Sequence, residues 1–176
     1  WRVPITRMAE FITVVALMVG AMMPIIDIGR PDRVLNLVLF GRWQSPLVWD
    51  VIAITTYLTG SFIYLYLPLI PDFALAKEKI GHKVSPVKRK FFEIMSIGWK
   101  DTPDRRRNLT IALGMIMILI IPVAVSVHTV VSWIFAMMMR EPWNNPMFGP
   151  FFVAGAIYSG TATIIIVMAI VRKAYK

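Results

Sequence analysis

The chain has 176 residues, 57% of them hydrophobic and none of them cysteine, with a mean hydropathy of +0.67. The missing cysteines exclude disulfides, a thiolate nucleophile and a cysteine-ligated iron–sulfur cluster on this chain. The net charge of +9 comes from 19 Lys and Arg against 10 Asp and Glu. These basic residues sit at the ends of apolar runs and lack aromatic interleaving, which reads as membrane topology and not as a nucleic-acid surface.

The chain opens at Trp1, almost directly on an apolar run and without a signal-peptide pattern, and reads as a portion of a longer polypeptide. A first span is expected over about 8–28, with Pro24 near its end. The polar connector Gly29-Arg30-Pro31-Asp32-Arg33 follows. Residues 34–40 are apolar but too short to cross a bilayer, so a surface or re-entrant helix is predicted there. The second span is expected over about 46–70, with Pro46 suited to its first turn.

Residues 71–107 form the longest polar stretch, with ten Lys/Arg against five Asp/Glu. The third apolar run, 109–139, has 31 residues, where about 20 suffice to cross. That helix is therefore tilted, kinked at Pro122 or extended beyond the membrane. A loop over 140–150 holds three prolines, and the last span, about 151–171, closes on Arg172, Lys173 and Lys176. The predicted fold class is all-α: a polytopic transmembrane helix bundle of about four spans, forming one domain over 1–176.

Four spans place both chain ends and the 71–107 loop on one side. All basic residues except Arg30, Arg33, Arg42 and Arg140 then share that side. By the positive-inside rule it is cytoplasmic. Trp43, Trp49, Trp133 and Trp143 fall near the inferred span ends, as an aromatic belt would.

Ionisable residues inside spans are costly and hence candidates for function. Asp27 ends the first span, Asp50 opens the second, and His128 lies about 29 Å along the third. Their structural alternatives are an interfacial pair of Asp27 with Arg30 or Arg33, a helix-start acid at Asp50, and a carbonyl-bonded His128. Asp50, Tyr57, Ser61 and Tyr64 share one face of the second span, and His128 and Ser132 share one face of the third. A carboxylate leading a line of hydroxyls suits a proton path or a wet helix–helix seam. Gly155, Ser159 and Thr163 make a small-residue ridge for close packing in the last span. The two histidines, His82 and His128, lie in unlike settings and make a poor axial pair, so no haem is expected, and no metal site either.

Four ordered segments carry a family resemblance. They are Gly29-Arg30-Pro31, Ser45-Pro46-Leu47-Val48-Trp49-Asp50, Ser126-Val127-His128-Thr129-Val130-Val131-Ser132-Trp133 and Phe148-Gly149-Pro150-Phe151-Phe152-Val153-Ala154-Gly155-Ala156, with support from Leu69-Ile70-Pro71-Asp72. In these the chain resembles the NrfD/PsrC family, the membrane subunits of polysulfide reductase-like enzymes. Its likeness is greatest to the membrane subunits of alternative complex III and of the Dsr complex.

The resemblance implies two four-helix bundles in a full subunit, and electron exchange between membrane quinone and an iron–sulfur subunit on the extracytoplasmic side. Menaquinone is the expected quinone. Other membrane subunits and lipid are the further partners, in a prokaryotic cytoplasmic membrane. Carried over, the quinone site comprises Asp27, Arg30, Trp49 and Asp50. Some relatives have a His where Asp27 stands. The resemblance links His128 to proton routes, so Asp50 and His128 are the residues expected to handle protons, with Tyr57, Ser61, Tyr64 and Ser132 as the path. Two other readings stay open: a structural anchor without a quinone site, and a proton-translocating half-channel.

Overall fold

Hydrocarbon offers no partner for backbone N–H and C=O groups, so apolar runs of this length must satisfy them internally as helices. The computed structural model describes residues 2–27 and 29–174, apart from the side chains of residues 2, 3 and 27. Among the described residues there are six α-helices, one 3₁₀ turn and no strand. In chain order they are α1 (Arg2–Asp27), the 3₁₀ turn (Pro31–Arg33), α2 (Val34–Leu39), α3 (Pro46–Ile80), α4 (Pro86–Met95), α5 (Pro103–Ala136) and α6 (Phe148–Ala174). Four of these, α1, α3, α5 and α6, are long and apolar enough to cross a membrane. The chain is thus an all-α, multi-pass transmembrane protein.

Helix ends are set by local chemistry more than by hydropathy. Helix α3 runs on to Ile80 through Pro68 and Pro71, and closes with Lys77 and Lys79 in its last turn, where the helix dipole favours cations. Helix α5 starts at Pro103, six residues before the apolar run. Thr102 Oγ1 accepts the Arg105 N–H at 3.4 Å, Pro103 needs no amide partner, and Asp104 suits the positive end of the dipole. Helix α5 remains one element through Pro122 and ends at Ala136, leaving Met137–Met139 outside it. Ahead of α6, Asn145 Oδ1 accepts the Met147 N–H at 2.9 Å in a side-chain-made turn.

The chain divides into two compact units, residues 1–61 with 120–176, and residues 62–119. In the first unit α1 packs on α6. Gly60 of α3 lies against Ile120 of α5, where an added Cβ would sit 3.6 Å from Cγ1. Helix α2 is a surface element, with Leu35, Val38 and Leu39 exposed. The chain then turns so tightly that a Cβ on Gly41 would stand 2.1 Å from the Leu37 carbonyl oxygen and 2.7 Å from Val48 Cγ2.

In the second unit α4 is fastened to α3. The Phe73 ring meets Phe91 edge-on at 5.7 Å and stacks on Phe92 at 6.2 Å. The Tyr66 hydroxyl donates to the Met95 carbonyl at 2.8 Å, and Lys77 Nζ donates to Glu93 Oε1 at 2.8 Å. Ile97 and Gly98, at φ 44 and 60, turn the chain out of α4 through the left-handed region. Arg105 Nη1 donates to the Gly98 carbonyl at 3.0 Å, and the Arg106 guanidinium grips both carboxylate oxygens of Asp101.

Two measurements test this packing. Gly41→Ala should cost about 1–3 kcal/mol, because one of its clashes is with backbone that cannot rotate away; thermal unfolding in detergent reads it. The Lys77 ammonium, by hydrogen bond and by charge, holds the Glu93 carboxyl below its ordinary value of 4.5. A depressed carboxyl stabilises above its unfolded value and loses that contribution as pH falls through the folded one. Amide protection factors in α4, measured against the intrinsic exchange rate at each pH, should therefore fall as pH drops below 4.5, and Glu93→Gln should remove the part of that acid dependence owed to the pair.

Candidate functional site

The polar face of α3 begins at Asp50, which is 4% exposed. Asp50 is the fifth residue of α3, past the orphan amides of the first turn, so it cannot serve as their cap. Its Oδ1 is buried and has no hydrogen-bond partner among the described residues. A buried polar atom left unmatched costs free energy unless something else supplies the partner. Ser61, on the same helix face, is also buried. Tyr64 is three residues further along, in the second unit.

His128 and Tyr57 line one cleft of about 200 Å³, closed by Ala124, Val125, Val153 and Ala156. His128 Nδ1 lies 2.7 Å from the Ala124 carbonyl oxygen. A carbonyl only accepts, so Nδ1 carries the hydrogen and Nε2 of the neutral ring is an acceptor. The Phe152 ring is tilted against the imidazole at 6.1 Å. Tyr57, the α3 residue on this cleft, is about 10 Å along the helix from Asp50.

Ser132 is fully buried, donates to the Thr129 carbonyl at 2.6 Å, and abuts Gly149 at the start of α6. It sits in a packing seam. Trp49 turns to the surface: its indole N–H donates to the Trp43 carbonyl at 2.7 Å, and the two rings meet edge-on at 6.2 Å. Arg30 is exposed in the connector before the 3₁₀ turn. The Asp27 side chain lies outside the described residues. Of the four residues assigned to quinone by resemblance, Asp50 is the one shown buried.

Two features escaped the sequence reading. Glu10, inside the first span, has a side chain only 8% exposed and stands 3.9 Å from Arg7. A lone acid three residues into the expected run was the available signal. A larger apolar cleft, about 580 Å³, lies between α2 and α3 and is lined by Leu37, Val38, Trp43, Val48, Val51 and Ile52 among others. Its α3 residues are on the side of the helix away from Asp50 and Tyr57. No cluster of three or more His, Cys, Asp or Glu suited to a metal occurs among the described residues.

Four apolar helices, a buried carboxylate and an apolar-walled histidine define a multi-pass membrane protein with ionisable side chains inside it. The chain belongs to the family described as polysulphide reductase, NrfD, whose model matches residues 2–176. Among its relatives, a putative dimethyl sulfoxide reductase membrane subunit from Halobacterium salinarum is 28% identical over 162 residues, covering 92% of this chain and 34% of that protein. A selenate reductase subunit from Mesobacillus selenatarsenatis is 25% identical over 172 residues, covering 92% of this chain and 38% of that protein. The chain thus spans little more than a third of the length of these curated relatives.

A Cβ on Gly149 would lie 3.3 Å from Ser132 Oγ, so Gly149→Ala should lower stability by about 1–3 kcal/mol. Adding Ser132→Ala removes the obstructing hydroxyl. The double variant should be less destabilised than the two singles predict, a coupling that a thermal-melt mutant cycle measures.

Proposed function

We propose that this chain is part of the quinone-handling membrane subunit of a respiratory reductase complex, passing electrons between menaquinone and an iron–sulfur subunit. Family membership and the relatives' names support the class. The observation that carries the quinone reading is Asp50: a carboxylate enclosed by the helices, with one oxygen unmatched. Such an acceptor fits a hydroxyl donor of the kind a quinol head group presents, so these residues suit the group.

Bound there, quinol would supply two electrons and two protons. Asp50 accepts a hydrogen bond and then a proton, acting as general base. On the family resemblance, Asp27 and Arg30 complete the head-group site. A proton leaving Asp50 finds Tyr57 and Ser61 on the same helix face, and His128 Nε2, an acceptor, across the Tyr57 cleft. Tyr64 continues the α3 line. Ser132 spends its hydroxyl on the Thr129 carbonyl and positions α5 against α6. Electrons would pass to a cluster held by the iron–sulfur partner, since these 176 residues contain no cysteine thiolate to hold one.

The positive-inside arrangement puts both ends of this chain, and α4, on the cytoplasmic side of a prokaryotic inner membrane. Asp50, at the opposite end of α3, then lies toward the extracytoplasmic surface, where the iron–sulfur subunit docks.

Asp50→Asn, in the assembled complex, should reduce quinol-dependent turnover by about 10²–10⁴-fold, while the complex remains intact by size-exclusion chromatography. Saturable binding of a quinol analogue should weaken with it. Wild-type turnover in an assembled Asp50→Asn complex would overturn the role. Absence of analogue binding even in wild type would leave the chain a structural anchor.

A further inference from the structure

Helix α4 belongs neither to the spans nor to the quinone reading, and its surface has a distinct pattern. Val87, Phe91 and Ile94 recur at i, i+4 and i+7, so they fall within about 60° of arc. They are 79%, 49% and 64% exposed. Phe92, which stacks on Phe73, and Met95, whose carbonyl takes the Tyr66 hydroxyl, are half-buried and face α3. Burial of α4 against α3 therefore leaves Val87 and Ile94 uncovered, with Phe91 between them half exposed beside the Phe73 ring.

Charge frames that stripe. Lys88 lies beyond one edge and Lys90 beyond the other, with Arg89 behind. Between residues 81 and 107 there are eight Lys/Arg against three Asp/Glu. Two of those acids are engaged, Glu93 by Lys77 and Asp101 by Arg106. The surroundings of α4 are thus strongly positive.

Location decides what meets this face. Tyr66 and Phe73, which fasten α4, lie at the end of the apolar stretch of a membrane-crossing helix. Helix α4 is therefore held where hydrocarbon gives way to head groups. Apolar side chains flanked by lysines suit that boundary: the stripe enters the acyl region while the ammonium groups reach back to phosphates.

We propose that α4 is a lipid-binding element, with Val87, Phe91 and Ile94 inserted at the acyl boundary and Lys88, Arg89 and Lys90 holding the phosphates of anionic phospholipid in that leaflet. The occupant is lipid of the membrane that the spans cross. The proposal stands apart from the quinone site, since none of these residues belongs to it.

The test uses the assembled complex in nanodiscs of phosphatidylcholine, with and without phosphatidylglycerol. Anionic lipid retained per complex is measured by extraction and mass spectrometry, alongside quinol-dependent turnover. Wild type should enrich phosphatidylglycerol, and the enrichment should shrink as salt rises. K88Q/R89Q/K90Q should reduce it by about tenfold or more at low salt, K88R/K90R should preserve it, and turnover should not change. Equal enrichment in wild type and the triple Gln variant would overturn the proposal. So would loss of a protein subunit with lipid retained, which would make the face a protein dock. Wild-type retention indifferent to lipid charge overturns it even where a variant does not assemble.

Discussion

In a bilayer, apolar side chains gain little by turning inward, because lipid tails are as apolar as leucine. This constraint fixes the character of the first unit. Its large apolar residues, such as Phe11, Met22, Ile121, Phe151 and Ile165, point outward. Val14, Val48 and Val127 are buried with Asp50, Ser61 and Ser132. Small and polar residues therefore settle how the helices meet. Gly149 lets α6 approach Ser132, and Gly60 lets α3 approach Ile120. An interior built this way holds a carboxylate at Asp50 and an imidazole at His128.

The polar part of the second unit meets water as well as lipid. Around α4, ion pairs, capped turns and an aromatic cluster do the positioning that glycine contacts do in the first unit. Lys77 reaches Glu93, Arg106 clasps Asp101, and Phe73 sits against two phenylalanines. Water competes for such pairs, so each is individually weak. Several converging on a ten-residue helix still define its seat.

The four spans and the polar face of α3 were legible because hydropathy and helical period act along a single helix. The ordered Gly-Arg-Pro, Trp-Asp and Ser-Val-His segments carried the family. What the sequence hid depends on contacts between elements. The length of α3 past residue 70 follows from a seat for α4 that no local pattern announces. The pairing of Tyr57 with His128 across one cleft needs the relative rotation of three helices. Trp49 reads as the neighbour of a functional acid, yet its indole is spent on the Trp43 carbonyl.

That indole bond has a mechanical consequence. Trp49 and Asp50 are successive residues, about 100° apart around α3. A hydrogen bond at the rim of the membrane therefore sets the azimuth of a carboxylate facing the interior, as a set-screw fixes a shaft. Rolling α3 by one residue would carry the acid toward lipid and break the tryptophan contact together. The aromatic pair at the surface thus keeps the compass bearing of the charge within.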